Sequence, residues 1–183
     1  FSNNIEQEQI IKDNDSVIMN FVVAPASDHA SGLNLEGLVD YINKKTNFKI
    51  NLILCKDYNE AIEALIQGKA QIGWLGPYAY LEASRSGAIE QFAIGLPKGK
   101  KTTNYQSVFI VRQDSTITSL EKIKNTRLII GDYHSTSGYA VPKQVLSEVG
   151  INIDNENEFK KVIKSNTHDE AIRDIIEGRA DVA

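Results

Sequence analysis

Short apolar runs that suit β-strands alternate with amphipathic helical segments along most of this chain. Residues 17–23 (VIMNFVV) are rich in β-branched side chains, as strands are. In residues 33–45 the apolar side chains instead recur at helical spacing and share one face. The alternation continues to the end of the 183 residues, and it predicts an α/β fold with a mostly parallel sheet.

The two patterns also place the individual elements. Strands are predicted at residues 17–23, 50–54, 71–75, 88–96, 105–111, 127–131 and 159–164, with a further strand beginning at 181. Helices are predicted at residues 33–45, 59–67, 78–84, 119–124, 137–149 and 169–177.

A polar segment at residues 97–104 (PKGKKTTN) divides the pattern into two α/β lobes. It contains proline and glycine and is typical of a crossing between lobes. Lobe 1 is predicted over residues 17–96 and lobe 2 over residues 105–183, where the chain stops as a strand begins. Residues 1–16 are predicted to be a flexible leader, because their polar sequence shows no clear apolar period.

A repeat joins the two lobes. Residues 58–70 (YNEAIEALIQGKA) align without a gap on residues 168–180 (HDEAIRDIIEGRA), 110 positions later (168 minus 58). Any amphipathic helix with a glycine C-cap shares the apolar spacing, but the whole string favours duplication or convergent design of two lobes. Ligands of α/β sheets bind at the carboxyl ends of strands, beside helix starts. The repeat therefore predicts that Tyr58 and His168 face each other across a cleft.

A second candidate site lies at residues 131–139 (GDYHSTSGY), which follow a predicted strand and open a helix. Ser135, Thr136 and Ser137 supply hydroxyl donors there, and the helix start adds backbone N–H groups and the positive end of its dipole. This arrangement can hold an oxyanion without any lysine or arginine. Plain N-capping is the alternative, although one hydroxyl is enough to cap a helix.

Several other classes of function find no support in the sequence. The formal net charge is −4 and no basic stripe carries interleaved aromatic residues, so nucleic acid is not an expected partner. Cys55 is the only cysteine, which excludes an internal disulfide, and it is predicted to be a small core residue. Neither a metal-ligand cluster nor a nucleophile–base pair nor a Walker loop is apparent, so no metal, cofactor or catalysis is expected.

At these residues the chain resembles the phosphonate-, phosphite- and phosphate-binding proteins of ABC transporters (the PhnD type). Four stretches carry the resemblance in family order, and His168 is a fifth point. They are residues 57–69, residues 72–80 (IGWLGPYAY), residues 105–120 with the run YQSVFIV, and residues 135–142 with STSGY. The resemblance implies a type II periplasmic-binding-protein fold of two lobes. Because the family continues well past Ala183, the second lobe is expected to be incomplete.

The resemblance also implies roles for particular residues. Ser135, Thr136 and Ser137 would hydrogen-bond the phosphonate oxygens, and His168 would donate to the same group. Tyr58 from lobe 1 and Tyr105 at the crossing would close over the ligand, and Tyr78 would form part of the wall. Core packing is the alternative for the tyrosines, and a plain helix start is the alternative for His168.

The function implied is that of an extracytoplasmic solute-binding protein and not of an enzyme. Its expected partners are a phosphorus oxyanion, an ABC permease and a lipid anchor attached through a removed leader. The ligand stays open among phosphate, phosphite and phosphonates, because the family's acidic selectivity residues lie beyond Ala183. An extracellular sensor module with the same fold is the alternative. An incomplete second lobe would also allow pairing with another copy of the chain.

Overall fold

The computed structural model describes residues 12–13, 16–25, 35–96 and 98–183. The chain divides into two units, Phe1–Ile89 and Glu90–Ala183. This division comes earlier than the crossing predicted at residues 97–104. Residues 90–96 therefore group with the second unit and not with lobe 1.

The sheet of the first unit is built around strand β2 (Ser16–Val23). β2 pairs in parallel with β3 (Phe48–Leu54) at one edge and with β4 (Ile72–Trp74) at the other. The short strand β1 (Lys12–Asp13) pairs antiparallel with the start of β2. The helices of this unit are α1 (Leu35–Lys45), α2 (Tyr58–Ile66) and α3 (Pro77–Ser84).

Strand β2 is buried on both faces, as expected for a central parallel strand. Phe21 and Val23 pack on one face with Leu35 and Val39 of α1. Val22 alternates to the other face and packs in a cluster with residues of α2 and α3. The alternation of side chains along β2 thus explains why helices flank this sheet on both sides.

The second unit has a smaller parallel sheet, and side chains pack against both of its faces. β5 (Arg127–Ile130) pairs in parallel with β6 (Lys161–Lys164), and Leu128 forms a parallel bridge with Val182. Leu128 and Ile130 pack with the fully buried Leu146, while Ile129 packs with Ile175 on the opposite face. The helices here are α4 (Val141–Glu148) and α5 (His168–Ile176), with short 3₁₀ turns at Leu120–Ile123 and Glu156–Glu158.

The repeat seen in the sequence is reproduced in the structure. α2 and α5 begin and end at equivalent residues, and Asp57 and Thr167 cap them by accepting the N–H of the residue three positions later. Glu60 and Glu170 reach back over each helix start and accept the N–H of the residue before the cap, Lys56 and Asn166. A glycine in the left-handed region follows each helix, Gly68 with φ 71° and Gly178 with φ 69°. The glycine C-caps predicted from the sequence are therefore confirmed.

Two predicted strands are wrong. Residues 88–96, all of them described, form no strand, and Phe92 is 82% exposed. In residues 105–111 only Ile110 pairs, through two backbone hydrogen bonds with Ala183. A strand needs backbone partners as well as a suitable pattern, and the described residues offer these segments almost none.

Other differences concern element ends and the leader. The helix predicted at residues 119–124 is only the 3₁₀ turn Leu120–Ile123. Lys12–Asp13 is paired although it lies in the segment 1–16 predicted to be flexible, and residues 1–11 and 14–15 lie outside the described residues. So do Pro97 of the predicted crossing and residues 33–34 of the first predicted helix. Among the described residues, no helix is long and apolar enough to cross a membrane.

The Cys55 thiol is expected to react slowly with alkylating reagents. Burial, together with the negative charge of Glu60, raises its pKa to about 11. At pH 8 only about one thiol in a thousand is then ionised, and the thiolate is the reactive form. Mass spectrometry after iodoacetamide treatment should show little modification of the folded protein and rapid modification in urea. Fast labelling of the folded protein would contradict this prediction.

Candidate functional site

The loop that follows β5 is closed at its base by two glycines. The N–H of Gly131 donates to the carbonyl oxygen of Gly138 over 2.8 Å. A Cβ on either glycine would lie 3.0 Å from the Cα of the other. Pro142 contributes to this closure because it has no N–H to donate to the carbonyl four residues earlier, which is that of Gly138. Both glycines are thus required by the close approach of two backbone segments.

Ser135 is buried and caps the turn that begins the next helix. Its Oγ accepts the N–H of Gly138 over 3.0 Å, and its carbonyl accepts the N–H groups of Tyr139 and Ala140. These bonds produce a wide π-type turn at Thr136–Ala140, which continues into α4. The single helix predicted at residues 137–149 therefore begins earlier, with a turn wider than an α-turn. Ser135 thus makes the capping contact that was the alternative for one of these hydroxyls.

Ser137 lies in the first turn and is tied to a separate segment of the unit. The hydroxyl of Ser107 donates to its carbonyl oxygen over 2.7 Å. Its N–H lies where a helix supplies no carbonyl acceptor of its own. Ser137 therefore presents a hydroxyl and an N–H at a helix start whose position is fixed from two sides.

His168 is the first residue of α5 and is exposed. Residues next to His168 cap this helix start. Oγ1 of Thr167 accepts the N–H of Glu170 over 3.2 Å. The buried Ser165 adds a bond from its hydroxyl to the Thr167 carbonyl over 2.7 Å. These hydrogen bonds of Ser165 and Thr167 thus hold the helix start that carries the His168 imidazole.

A cavity of about 380 Å³ brings together three of the predicted ligand-binding residues. Its lining includes Tyr105, Ser137 and His168, together with apolar side chains such as Ile129 and Ile172. The described residues that line it include no lysine or arginine. This cavity therefore offers hydroxyl and imidazole groups on one part of its wall and an apolar surface on the rest.

The remaining predicted residues lie elsewhere. Ser135 and Thr136 precede Ser137 in the chain but are not among the described residues that line the cavity. Tyr58 is in the first unit, where it is 7% exposed and packs in a core cluster. Tyr78, in α3 of the same unit, is half-buried. The predicted meeting of Tyr58 with His168 stays a prediction.

A larger cavity of about 720 Å³ lies beside Arg127, the first residue of β5. Two ion pairs line it, Arg112 with Asp114 and Arg127 with Asp181. Because its arginines are already paired with carboxylates, this larger cavity is a weaker candidate for an anion than the one beside Ser137. A cluster of side chains that could hold a metal ion is likewise absent from the described part of the chain.

The sequence did not reveal the importance of Asp132, a buried carboxylate in the loop after β5. It accepts the backbone N–H of His134 over 2.9 Å, and Nζ of Lys164 lies 3.1 Å away. Burial tends to raise the pKa of Asp132, but the bonds from His134 and Lys164 outweigh it and hold the pKa below its usual range. Both Asp132 and Lys164 lie at carboxyl ends of paired strands, which is the one signal that could have drawn attention to them.

Known protein sequences similar to this chain belong to transporter binding proteins. The sequence model of the family described as "ABC transporter, phosphonate, periplasmic substrate-binding protein" matches residues 21–183. The phosphate-import protein PhnD of Mycolicibacterium smegmatis is 28% identical over 116 residues, which cover 62% of this chain and 36% of the relative. The phosphonates-binding periplasmic protein of Escherichia coli is 32% identical over 105 residues, covering 55% of this chain and 31% of the relative. The chain thus spans about a third of the length of the curated relatives it matches.

Solved structures show the same fold. A binding protein component of an ABC phosphonate transporter from Pseudomonas aeruginosa has a TM-score of 0.72 and 23% identity, over 91% of this chain and 56% of that one. PhnD1 from Prochlorococcus marinus, in complex with methylphosphonate, has a TM-score of 0.71 and 20% identity, over 91% of this chain and 62% of that one. These likenesses confirm the predicted type II periplasmic-binding-protein fold. The match of the family model over residues 21–183 establishes that the chain belongs to the family of periplasmic substrate-binding proteins of phosphonate ABC transporters.

Proposed function

We propose that this protein captures a phosphonate or a related phosphorus oxyanion outside the cytoplasm and delivers it to an ABC transporter. The observation that carries the proposal is the convergence of Ser137, His168 and Tyr105 on one cavity. Two of these residues stand at helix starts, where N–H groups and the helix dipole favour an anion. The matched family is a transport family, which favours uptake over the alternative of sensing.

The chemistry of the cavity suits reversible capture. Hydroxyl, imidazole and backbone N–H donors form charge-assisted hydrogen bonds with phosphonyl oxygens. The apolar part of the wall, which includes Ile129 and Ile172, suits a small organic substituent on phosphorus. Because no lysine or arginine is among the described residues that line the cavity, binding depends on hydrogen-bond geometry and is less sensitive to salt than a site built from exposed lysines or arginines.

The partner in this proposal is the permease of an ABC transporter, which the protein would meet after loading. Membership of a family of transporter binding proteins supports this partner and the location outside the cytoplasm. A lipid anchor, expected from the resemblance, would keep the loaded protein beside the permease. Each of these statements belongs to the proposal and is tested separately from ligand binding.

Calorimetric titration of the full-length protein tests the central claim. Methylphosphonate, phosphite, phosphate and 2-aminoethylphosphonate are the ligands, and sulfate is the control, as a tetrahedral dianion without phosphorus. At least one phosphorus oxyanion is expected to bind with a dissociation constant in the micromolar range or below, and more tightly than sulfate. The absence of binding to all four compounds would overturn the proposed function.

A further inference from the structure

An ion pair connects the two strand ends from which the candidate site is built. Asp132 follows β5 by two residues and Lys164 is the last residue of β6. The two strands are parallel, with Ile130 opposite Lys164 in the register. Nζ of Lys164 lies 3.1 Å from Oδ2 of Asp132, and the carboxylate side chain is only 9% exposed. The pair thus spans the carboxyl edge of the sheet.

Lys164 makes a second contact with the same loop. Its Nζ lies 4.7 Å from the ring centroid of Tyr133, within the range of a cation–π interaction. The Tyr133 ring in turn meets the ring of Tyr139 edge to face, with centroids 4.8 Å apart. One lysine therefore contacts both the start of the loop and, through Tyr133, the turn that contains Ser137.

The residues on each side of the pair lead directly to the candidate ligand-binding groups. The carbonyl oxygen of Asp132 accepts the N–H of Ser135, which caps the turn that contains Ser137. On the other strand, Lys164 precedes Ser165, whose N–H donates to the carbonyl oxygen of Ile130 and whose hydroxyl bonds to the cap of α5. The pair consequently lies between the segment that carries Ser137 and the segment that carries His168.

We propose that Asp132 and Lys164 are positioning residues whose ion pair fixes Ser137 relative to His168 and thereby sets the affinity for the phosphorus oxyanion. This inference rests on the proposed function. Neither residue is among the described residues that line the cavity, so the pair acts through the groups it positions and not by touching the ligand. Lys164 remains 44% exposed, so the pair contributes little to overall stability.

A competing mechanism is direct attraction of the anion by the charge of Lys164. A double-mutant cycle separates the two mechanisms. If the lysine acts through Asp132, Lys164→Met costs affinity in the wild-type protein but little once Asp132 is already Asn. If it acts on the ligand directly, Lys164→Met costs the same in both backgrounds.

The test uses the full-length protein and titration with methylphosphonate, phosphite and phosphate. Lys164→Met is expected to weaken the tightest of these by about tenfold in the wild type and by less than about threefold in Asp132→Asn. Lys164→Arg keeps a cation beside the carboxylate and is expected to restore affinity to within about threefold of the wild type. Urea unfolding of each variant confirms that it is folded.

Lys124→Met provides the matched control. Its partner Glu158 lies 3.1 Å away, and the lysine is 45% exposed, so the lost ion pair is of the same kind in the same unit. This variant is expected to leave affinity unchanged. Unchanged affinity in Lys164→Met, equal losses in both backgrounds, or no rescue by arginine would overturn the inference. Failure of the wild type to bind any of the three compounds would overturn the proposed function, and the inference with it.

Discussion

Replacing Ser137 with alanine is expected to weaken binding of a phosphorus oxyanion by about 1–3 kcal/mol, the usual cost of losing one partner of a buried hydrogen bond to a charged group. Of the three adjacent hydroxyl residues, Ser137 is the one that lines the cavity. Its carbonyl stays bonded to Ser107, so the backbone of the turn should keep its place in the variant. The loss should therefore appear in affinity, measured by titration calorimetry, and not in folding stability.

Ser147→Ala is the matched control for this change. Ser147 is exposed, lies in α4 of the same unit, and donates its hydroxyl to the carbonyl of Gln144. Its removal should leave oxyanion affinity within the error of the titration. An affinity for Ser137→Ala equal to that of the wild type would exclude Ser137 from the site.

Gly138→Ala is expected to lower both stability and affinity, with a loss of about 1–3 kcal/mol in the free energy of unfolding from overpacking. The new Cβ would lie 3.0 Å from the Cα of Gly131 and 3.0 Å from Oγ of Ser135. The Cα of Gly131 is a backbone atom, so relief of that contact must move backbone, and relief of the other must move the Ser135 hydroxyl. That movement displaces Ser135 from its cap and with it the start of the turn. Urea unfolding and titration calorimetry measure the two effects.

Two further variants are compared with Gly138→Ala, one in the same backbone contact and one outside it. Gly131→Ala should cost a similar amount, because its Cβ would lie 3.0 Å from the Cα of Gly138 in the same crossing. Gln144→Ala on the exposed side of α4 should change the free energy of unfolding by no more than about 0.5 kcal/mol. If both glycine variants were as stable as the Gln144 variant, the two segments could not be in the contact described.

The elements that the sequence predicted best are those with local causes. The start of α5 follows from Thr167 and Glu170, which cap the helix from within four residues of one another. Its end follows from Gly178, whose positive φ a glycine adopts without strain. The strand predicted at residues 88–96 failed because pairing is not local. Its apolar pattern is real, but a pattern without a backbone partner does not make a strand.

In the candidate site, too, the features with local causes could be predicted from the sequence and those that depend on distant contacts could not. A hydroxyl run at a helix start is visible in the sequence, and the structure assigns Ser135 to the cap and Ser137 to the cavity. The approach of Gly131 to Gly138 and the pairing of Asp132 with Lys164 could not be predicted. Both depend on how the strands align and where the chain turns back, and neither leaves a fixed spacing in the sequence.

The repeated helix start has a consequence for how this protein can evolve. The groups that hold each helix start flank its first residue, so the first residue is not itself part of the cap. Tyr58 occupies that position buried in a core, where replacement disturbs packing. His168 occupies it exposed to solvent, where replacement costs little folding free energy. Substitutions at residue 168 can therefore accumulate without loss of the fold, while the equivalent position in the first unit is constrained by the core around it.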